Sequence, residues 1–236
     1  MKNNKAFTLI ELLLGLSIFS LIVVCLYSTL FGGIQLSHRS QKQGDIFREV
    51  RWALSWMSKD LENMVSYNFS NSYPDKSAFM GDAKQITFIM PTPDGLKVIS
   101  YYLAQPQEGS IHRVLIGQTY QKNVSGMTKF EETTKNDVLI REEKNFIDYL
   151  QETDQKKGDI EIVASNVKEH SLKISYAYQE TKEGKNIIWK DNWVSNDIPR
   201  HIRIQMDFQS TRKPFVRFPV TKDIWIPSGI LGPPSV

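Results

Sequence analysis

The chain has one cysteine, Cys25, in 236 residues. No disulfide can therefore form within it, and its stability has to come from packing and hydrogen bonds. No proline occurs before Pro74, so nothing in that stretch removes a backbone donor from a long helix. From Phe7 to Ile34 the only formal charge is Glu11. Net charge is low as well: +3 overall, with 29 Lys+Arg against 26 Asp+Glu. Lys2 and Lys5 supply two of the basic residues, which leaves 27 against 26 beyond residue 6. A near-neutral chain has no large electrostatic footprint for nucleic acid, and none is expected as a partner. The sequence also lacks a metalloprotease histidine pair, a phosphate-cradling glycine loop, a cysteine-pair metal site and a Gly-x-Ser-x-Gly elbow. His38, His112, His170 and His201 stand singly and read as surface or strand residues. The chain is therefore read as a non-enzyme, with no cofactor and no metal. There is no internal repeat at 20–50 residues and no long low-complexity block.

What is present begins with a basic leader, Met1 to Ala6, that meets an apolar run from Phe7 to Phe31. Those 25 residues make roughly 37 Å of helix, enough to span a bilayer with some tilt. A secretory signal peptide would have a shorter core and a small-x-small cleavage site, and Leu21 to Gly33 holds none. A lipoprotein reading of Val23-Val24-Cys25-Leu26 fails on the bulky residues before the cysteine. Glu11 sits inside this run. A charge at mid-helix costs roughly 2.5–3.5 kcal/mol on insertion scales, and less near an end, so the carboxylate needs a reason to be there.

Beyond the apolar run the helix pattern continues to about Tyr67. Ile46, Val50, Ala53, Leu54, Met57, Leu61, Met64 and Val65 form a single stripe of helical period, predicted as core. Arg48, Glu49, Arg51, Ser55, Lys59 and Glu62 take the opposite face, with Trp52 and Trp56 beside the stripe. Asn68 to Asp82 is turn-rich and ends the helix.

From Gln85 the period changes to two. Strands are predicted over Gln85 to Met90 and Leu96 to Leu103, joined through Pro91-Thr92-Pro93-Asp94-Gly95. Further strands are expected at Ile111 to Ile116, Asp137 to Arg141, Ile160 to Ala164, Ser171 to Gln179, Asn186 to Trp189, Arg200 to Phe208 and Phe215 to Phe218. Asn145 to Gln151 reads as a turn or two of helix. Composition, 41% hydrophobic and 23% charged, suffices to fill such a domain. The expected fold class is α+β, a long helix packed on a β-rich head. Its divisions are 1–6 (leader), 7–34 (membrane segment), 35–67 (amphipathic helix), 68–225 (head) and 226–236 (flexible tail). Glu131-Glu132 and Glu142-Glu143 read as solvated faces. Asp191, Asn192, Asn196 and Asp197 make an oxygen-rich loop without regular calcium-loop spacing. Arg200, His201, Arg203, Arg212, Lys213 and Arg217, interleaved with Phe208, Phe215 and Phe218, read as a polar strand face rather than a nucleic-acid groove.

A short basic leader, a small residue, then Phe7-Thr8-Leu9-Ile10-Glu11 and a long apolar helix resembles the class III signal of type IV pilins and type II secretion pseudopilins. The resemblance implies cleavage by a prepilin peptidase between Ala6 and Phe7 and methylation of the new Phe7 terminus. It also implies that Glu11 pairs with the N-terminus of a neighbouring subunit. Ala6 departs from the family's usual glycine before the cut. Downstream, Val167 to Tyr176 is followed by Trp189, Trp193 and Ile198-Pro199-Arg200-His201-Ile202-Arg203-Ile204. With Ser58 to Glu62, that order is similar to the J-type minor pseudopilin of type II secretion. The implied role is a structural subunit near the pseudopilus tip that helps initiate assembly and export. Its expected partners are other minor and major pseudopilins, the prepilin peptidase and the inner membrane, with the head in the periplasm. A minor type IV or competence pilin is the alternative, and a signal-anchored extracytoplasmic binding domain a further one.

Overall fold

The computed structural model describes residues 9–69, 73, 76–105, 136–151, 158–179, 187–209 and 217–230. The chain divides into two compact units, Met1–Phe47 and Arg48–Val236. The first helix, α1, spans Leu9–Glu62.

In the first unit the apolar part of the helix is Leu9–Ser37, which has a mean hydropathy of 2.7, and none of it is buried by the chain's own atoms. The second unit begins with the amphipathic part of α1, and the predicted stripe is its buried face. Ala53, Met57 and Leu61 are fully buried, with Val50 and Met64 nearly so. Helix α1 stops at Glu62, short of the expected Tyr67, because the backbone is claimed elsewhere. Asn63 turns its side-chain amide back onto the Lys59 carbonyl, and the Val65 N–H leaves the helix axis for the carbonyl of Ile89.

The rest of the second unit is antiparallel sheet. Its strands are β1 (Phe79–Gly81), β2 (Gln85–Thr92), β3 (Gly95–Ala104), β4 (Asn136–Asn145), β5 (Asp159–Lys168), β6 (Lys173–Tyr178), β7 (Ile188–Lys190), β8 (Trp193–Ser195), β9 (His201–Gln209) and β10 (Arg217–Trp225). Their order is β7-β6-β9-β5-β4-β3-β2-β1-β8, with β10 on the other edge of β9. Helix α2 (Phe146–Leu150) follows β4 directly, capped by the Asn145 side chain accepting from the Ile147 N–H at 3.0 Å. The α+β expectation is met. Strand β1 was not expected: Phe79–Gly81 falls in the turn-rich stretch read only as a helix terminator. The expected strand at Ile111 to Ile116 lies outside the described residues.

Alternation decides which residues enter the core. Ile202, Ile204, Met206 and Phe208 are buried while His201, Arg203, Gln205 and Asp207 between them are half-buried. The β2–β3 hairpin closes on Pro93-Asp94, and Gly95 takes φ +120°, which favours glycine. Strands β5 and β6 run in line along β9, broken between them. Val167 lies opposite Phe208 and Lys173 opposite Gln205, so six steps on one side face three on the other. The extra residues form a bulged turn in which His170 adopts φ 55° and Ser171 Oγ bonds the backbone of Asp207.

The expected flexible tail is corrected over its first part. Ile226 is fully buried, its N–H donates to the Arg200 carbonyl, and the Arg200 and Ile230 amides bond Ile230 and Ile198 in turn. Arg200 Nε adds a bond to the Gly229 carbonyl at 2.9 Å. Three prolines and two glycines suggested freedom, but Gly229 serves close packing: a Cβ there would lie 2.5 Å from Arg200 Cα and Pro199 O. Residues 231–236 lie outside the described residues.

Candidate assembly site

Ala6 and Phe7, the expected cleavage and methylation positions, lie outside the described residues. Glu11 is in the first turn of α1 as described, where the helix dipole favours an anion. With Leu12, Gly15, Leu16 and Phe19 it borders a shallow open concavity on the helix surface. A Cβ built on Gly15, Gly32 or Gly33 would meet nothing within 4 Å, so the packing of this chain does not require those glycines. Bare positions of this kind let another helix approach closely in a membrane. The hydroxyl groups nearby are satisfied locally: Ser17 donates to Leu14 O, Ser20 to Leu16 O, Ser28 to Val24 O and Thr29 to Cys25 O, all at 2.8–2.9 Å. Glu11 thus stands as the one formally charged side chain from Leu9 to Ser37.

In the second unit the structure assembles a site that the sequence reading did not name. Asp60 sits on the buried stripe, three residues after Met57 and seven after Ala53. It is 5% exposed. Its Oδ2 accepts from Tyr101 Oη at 2.8 Å and from Arg141 Nε at 2.7 Å. The register explains the convergence. Tyr101 of β3 is opposite Arg141 of β4, and Arg141 is opposite Glu161 of β5, so a polar row crosses three strands beneath the helix. Arg141 also reaches Glu143 Oε2 at 2.8 Å, and Lys97 reaches Glu143 Oε1 at 3.3 Å. Glu142-Glu143 is therefore not a solvated face: Glu142 pairs with Lys144 and accepts from Tyr102, and Glu143 is bound into the network. Glu131-Glu132 lies outside the described residues.

Burial pushes the Tyr101 hydroxyl up, and the Asp60 charge adds to the effect. Burial disfavours charge on Arg141, yet its hydrogen bonds to Asp60 and Glu143 outweigh that and hold its pKa above the ordinary value. Burial also opposes charge on Glu143, but the bonds from Arg141 and Lys97 prevail and lower it. Tyr102 is pushed up to about 12 by burial and by Glu142. The arrangement is a structural clamp, since Asp60, Tyr101, Arg141, Glu143 and Lys97 are bonded to one another. One sequence signal was available, a carboxylate at a stripe position, which has to be compensated when buried.

About three turns earlier on α1, Glu49, expected on the face opposite the stripe, is half-buried. Its Oε1 accepts from Ser165 Oγ at 2.9 Å and its Oε2 from Asn166 Nδ2 at 2.6 Å, which ties the helix to β5. Trp52 and Trp56 stack edge to face at 4.4 Å, with Trp52 49% exposed.

The remaining candidates resolve into local contacts. Asp191 accepts from Ser175 Oγ and pairs with Lys173, and the carbonyl of Asp197 receives the Trp193 indole N–H. Among the described residues no group of three or more His, Cys, Asp or Glu side chains is placed to hold a metal ion. Arg203 forms a two-pronged pair with Asp223, at 2.7 and 2.9 Å, and lies over the Trp189 ring at 4.0 Å. Arg212, Lys213 and His112 lie outside the described residues.

Residues 1–26 match the family model described as the prokaryotic N-terminal methylation motif. No curated protein and no solved structure matches the chain. The motif implies processing by a prepilin peptidase and assembly with other pilins, and it points to a structural protein rather than an enzyme. With one helix among the described residues long and apolar enough to cross a membrane, it supports a membrane-anchored protein of the type IV pilin-like or pseudopilin class.

Proposed function

We propose that this chain is a minor pseudopilin of a type II secretion system, acting at or near the pseudopilus tip to initiate assembly and protein export. The observation that carries the reading is the methylation motif over residues 1–26, with Glu11 inside an otherwise uncharged span. The order of the Val167–Tyr176 and Ile198–Ile204 segments, with Trp189 and Trp193 between them, supports the J-type assignment. In this reading the peptidase cuts between Ala6 and Phe7, and the head faces the periplasm.

The mechanism follows from the cost of a charge in lipid. Cleavage exposes a cationic amine on Phe7, four residues from Glu11. A carboxylate in the bilayer is stabilised by a compensating charge, and a neighbouring subunit's N-terminus supplies one only in the correct register. Addition of a subunit then brings a further cationic amine to Glu11, and Gly15 allows the close approach.

The test has two parts. The chain is expressed with and without a prepilin peptidase, and its N-terminus is read by mass spectrometry. A Met1 terminus in the presence of active peptidase would sink the reading. Cross-linking of the head in cells then identifies the neighbours: capture of secretion pseudopilins supports the assignment, and capture of pilus subunits alone transfers it to a minor type IV pilin. Glu11→Ala is expected to be cleaved normally but to assemble poorly.

A further inference from the structure

Strands β7, β6, β9 and β10 are neighbours in the sheet, and their outward face carries a pattern that neither the clamp nor the assembly role uses. Strand β9 buries Ile202, Ile204, Met206 and Phe208, so His201, Arg203 and Gln205 point the other way. Residues directly opposite in an antiparallel pair share a face. Trp225 lies opposite His201, Asp223 opposite Arg203, and Thr221 opposite Gln205. Across the other edge of β9, Ser175 is opposite Arg203 and Lys173 opposite Gln205, and Trp189 of β7 is opposite Ala177 of β6. One further step of the Tyr176–Ile202 register sets Ala177 beside His201. Two indoles thus end one row, Trp189-Ala177-His201-Trp225, with about 14 Å (three strand spacings) between their backbones.

The row is open at Trp225. Ile224 and Ile226 on either side of it are buried, which turns the indole outward and leaves it 55% exposed. The polar groups beside it are held in place. Arg203 donates from Nε and Nη2 to the two Asp223 oxygens, and its guanidinium lies over the Trp189 ring. Asp191 accepts from Ser175 Oγ at 3.1 Å and pairs with Lys173 at 3.4 Å. The charges are therefore matched: Arg203 with Asp223, Lys173 with Asp191, and Lys168 with Asp207. Arg217, at the far end of β10, is about 27 Å along the strand from Trp225. The Arg203–Asp223 pair is itself accessible, at 33% and 51% side-chain exposure, and its remaining N–H groups and lone pairs are not used in the pairing. The surface beside Trp225 is rich in planar donors and acceptors and poor in net charge.

We infer that this face binds a neutral saccharide, with one sugar ring lying flat on the Trp225 indole and its hydroxyl groups bonded to Asp223, Arg203 and His201. The C–H side of a sugar ring is apolar and suits the negative face of an indole, while its rim needs donors and acceptors together. Ion-paired side chains supply both without a field that would select an ion. A single nucleic-acid strand would need uncompensated cations beside the aromatic ring. A peptide anchor would need an apolar pocket, and the only apolar side chain in the row between the indoles is Ala177. Because Arg203 is held from two sides, little side-chain freedom is lost on binding. The inference is independent of the assembly role and does not rest on it.

The test uses the full chain in a detergent without a sugar headgroup, titrated with cellohexaose, maltohexaose and chitohexaose. Calorimetry and the tryptophan indole N–H resonances are the readouts. Saturable binding of at least one hexamer is expected, with the largest shift at Trp225 and little dependence on salt, since a neutral ligand has no charge to screen. Trp225→Ala should weaken binding about ten-fold or more, and Trp225→Tyr should weaken it less because a ring remains. Should Trp225→Ala fail to fold, the Trp225 indole resonance of the unaltered chain decides the matter. The inference is overturned if no hexamer saturates, if binding leaves the Trp225 resonance unmoved, or if folded Trp225→Ala binds as tightly as the parent. Tighter binding of polygalacturonate or oligothymidylate than of every neutral hexamer would also overturn it.

Discussion

Asp60→Ala is the substitution by which the clamp between α1 and the sheet is best judged. It deletes one carboxylate that two strands share, leaving the Tyr101 hydroxyl, on a fully buried residue, without its acceptor, and Arg141 without its Nε partner. Breaking a buried ion pair from one side costs about 3–5 kcal/mol, because the abandoned charge stays buried. Here Arg141 keeps Glu143 at 2.8 Å and Glu161 at 3.9 Å, so the loss falls at the lower end, about 3 kcal/mol. In urea, with a slope of about 2 kcal/mol per molar, that moves the unfolding midpoint down by about 1.5 M. Tryptophan fluorescence is a natural probe, since Arg141 lies 5.8 Å from the Trp56 ring centroid. The sharper form is a cycle with Arg141→Met. Removing both partners relieves the orphaned charge, so the double variant should be more stable than the sum of the singles implies, by about 2 kcal/mol. A cost below about 1 kcal/mol for Asp60→Ala, or strict additivity in the cycle, would refute the clamp.

Three other outcomes are expected. Gly229→Ala puts a Cβ 2.5 Å from the backbone of Pro199 and Arg200, so about 1–3 kcal/mol should be lost, and hydrogen exchange at the Arg200 and Ile230 amides should quicken. Glu49→Ala removes the acceptor of Ser165 and Asn166 and should lower stability by about 1–3 kcal/mol with no change in processing of the N-terminus, read by denaturation and mass spectrometry. Acid should destabilise the head. Glu143 is lowered by Arg141 and Lys97 against its burial, and Asp223 is lowered chiefly by its bond to Arg203. A depressed folded-state value stabilises above the ordinary carboxylate range, near pH 4, and that stability is lost as pH falls through the folded value. Glu161, raised by burial, has the opposite sign and offsets part of the loss. Denaturation at pH 6 and pH 3 measures the difference, and Arg203→Gln should shrink it only slightly, because that pair is exposed.

Much of this was legible because it depends on local periodicity. The helical stripe from Val50 to Met64 and the alternation from His201 to Gln209 each name their buried residues, since a helix repeats at 3.6 and a strand at two whatever lies opposite. The hairpin between Gln85 and Ala104 was legible for a similar reason, with Pro93, Asp94 and Gly95 carrying the turn. Strand β1 was not, because three residues show no period and Phe79–Gly81 is a strand only through its pairing with β2 and β8. The end of α1 was misjudged because Val65 remains on the stripe while its N–H has gone to Ile89, and a side-chain pattern carries no record of where an amide bonds.

The sequence by itself determined the membrane-length helix, the placement of Glu11 within it and the methylation motif, because each is contiguous and its meaning lies in order along the chain. Only the tertiary structure decided what the polar residues of the head do. Asp60, Tyr101 and Arg141 stand 41 and 81 positions apart in their hydrogen bonds, and Asp137 meets His170 from 33 positions away. A buried carboxylate is defined by what the fold sets against it, and strand register, not sequence neighbourhood, makes that choice.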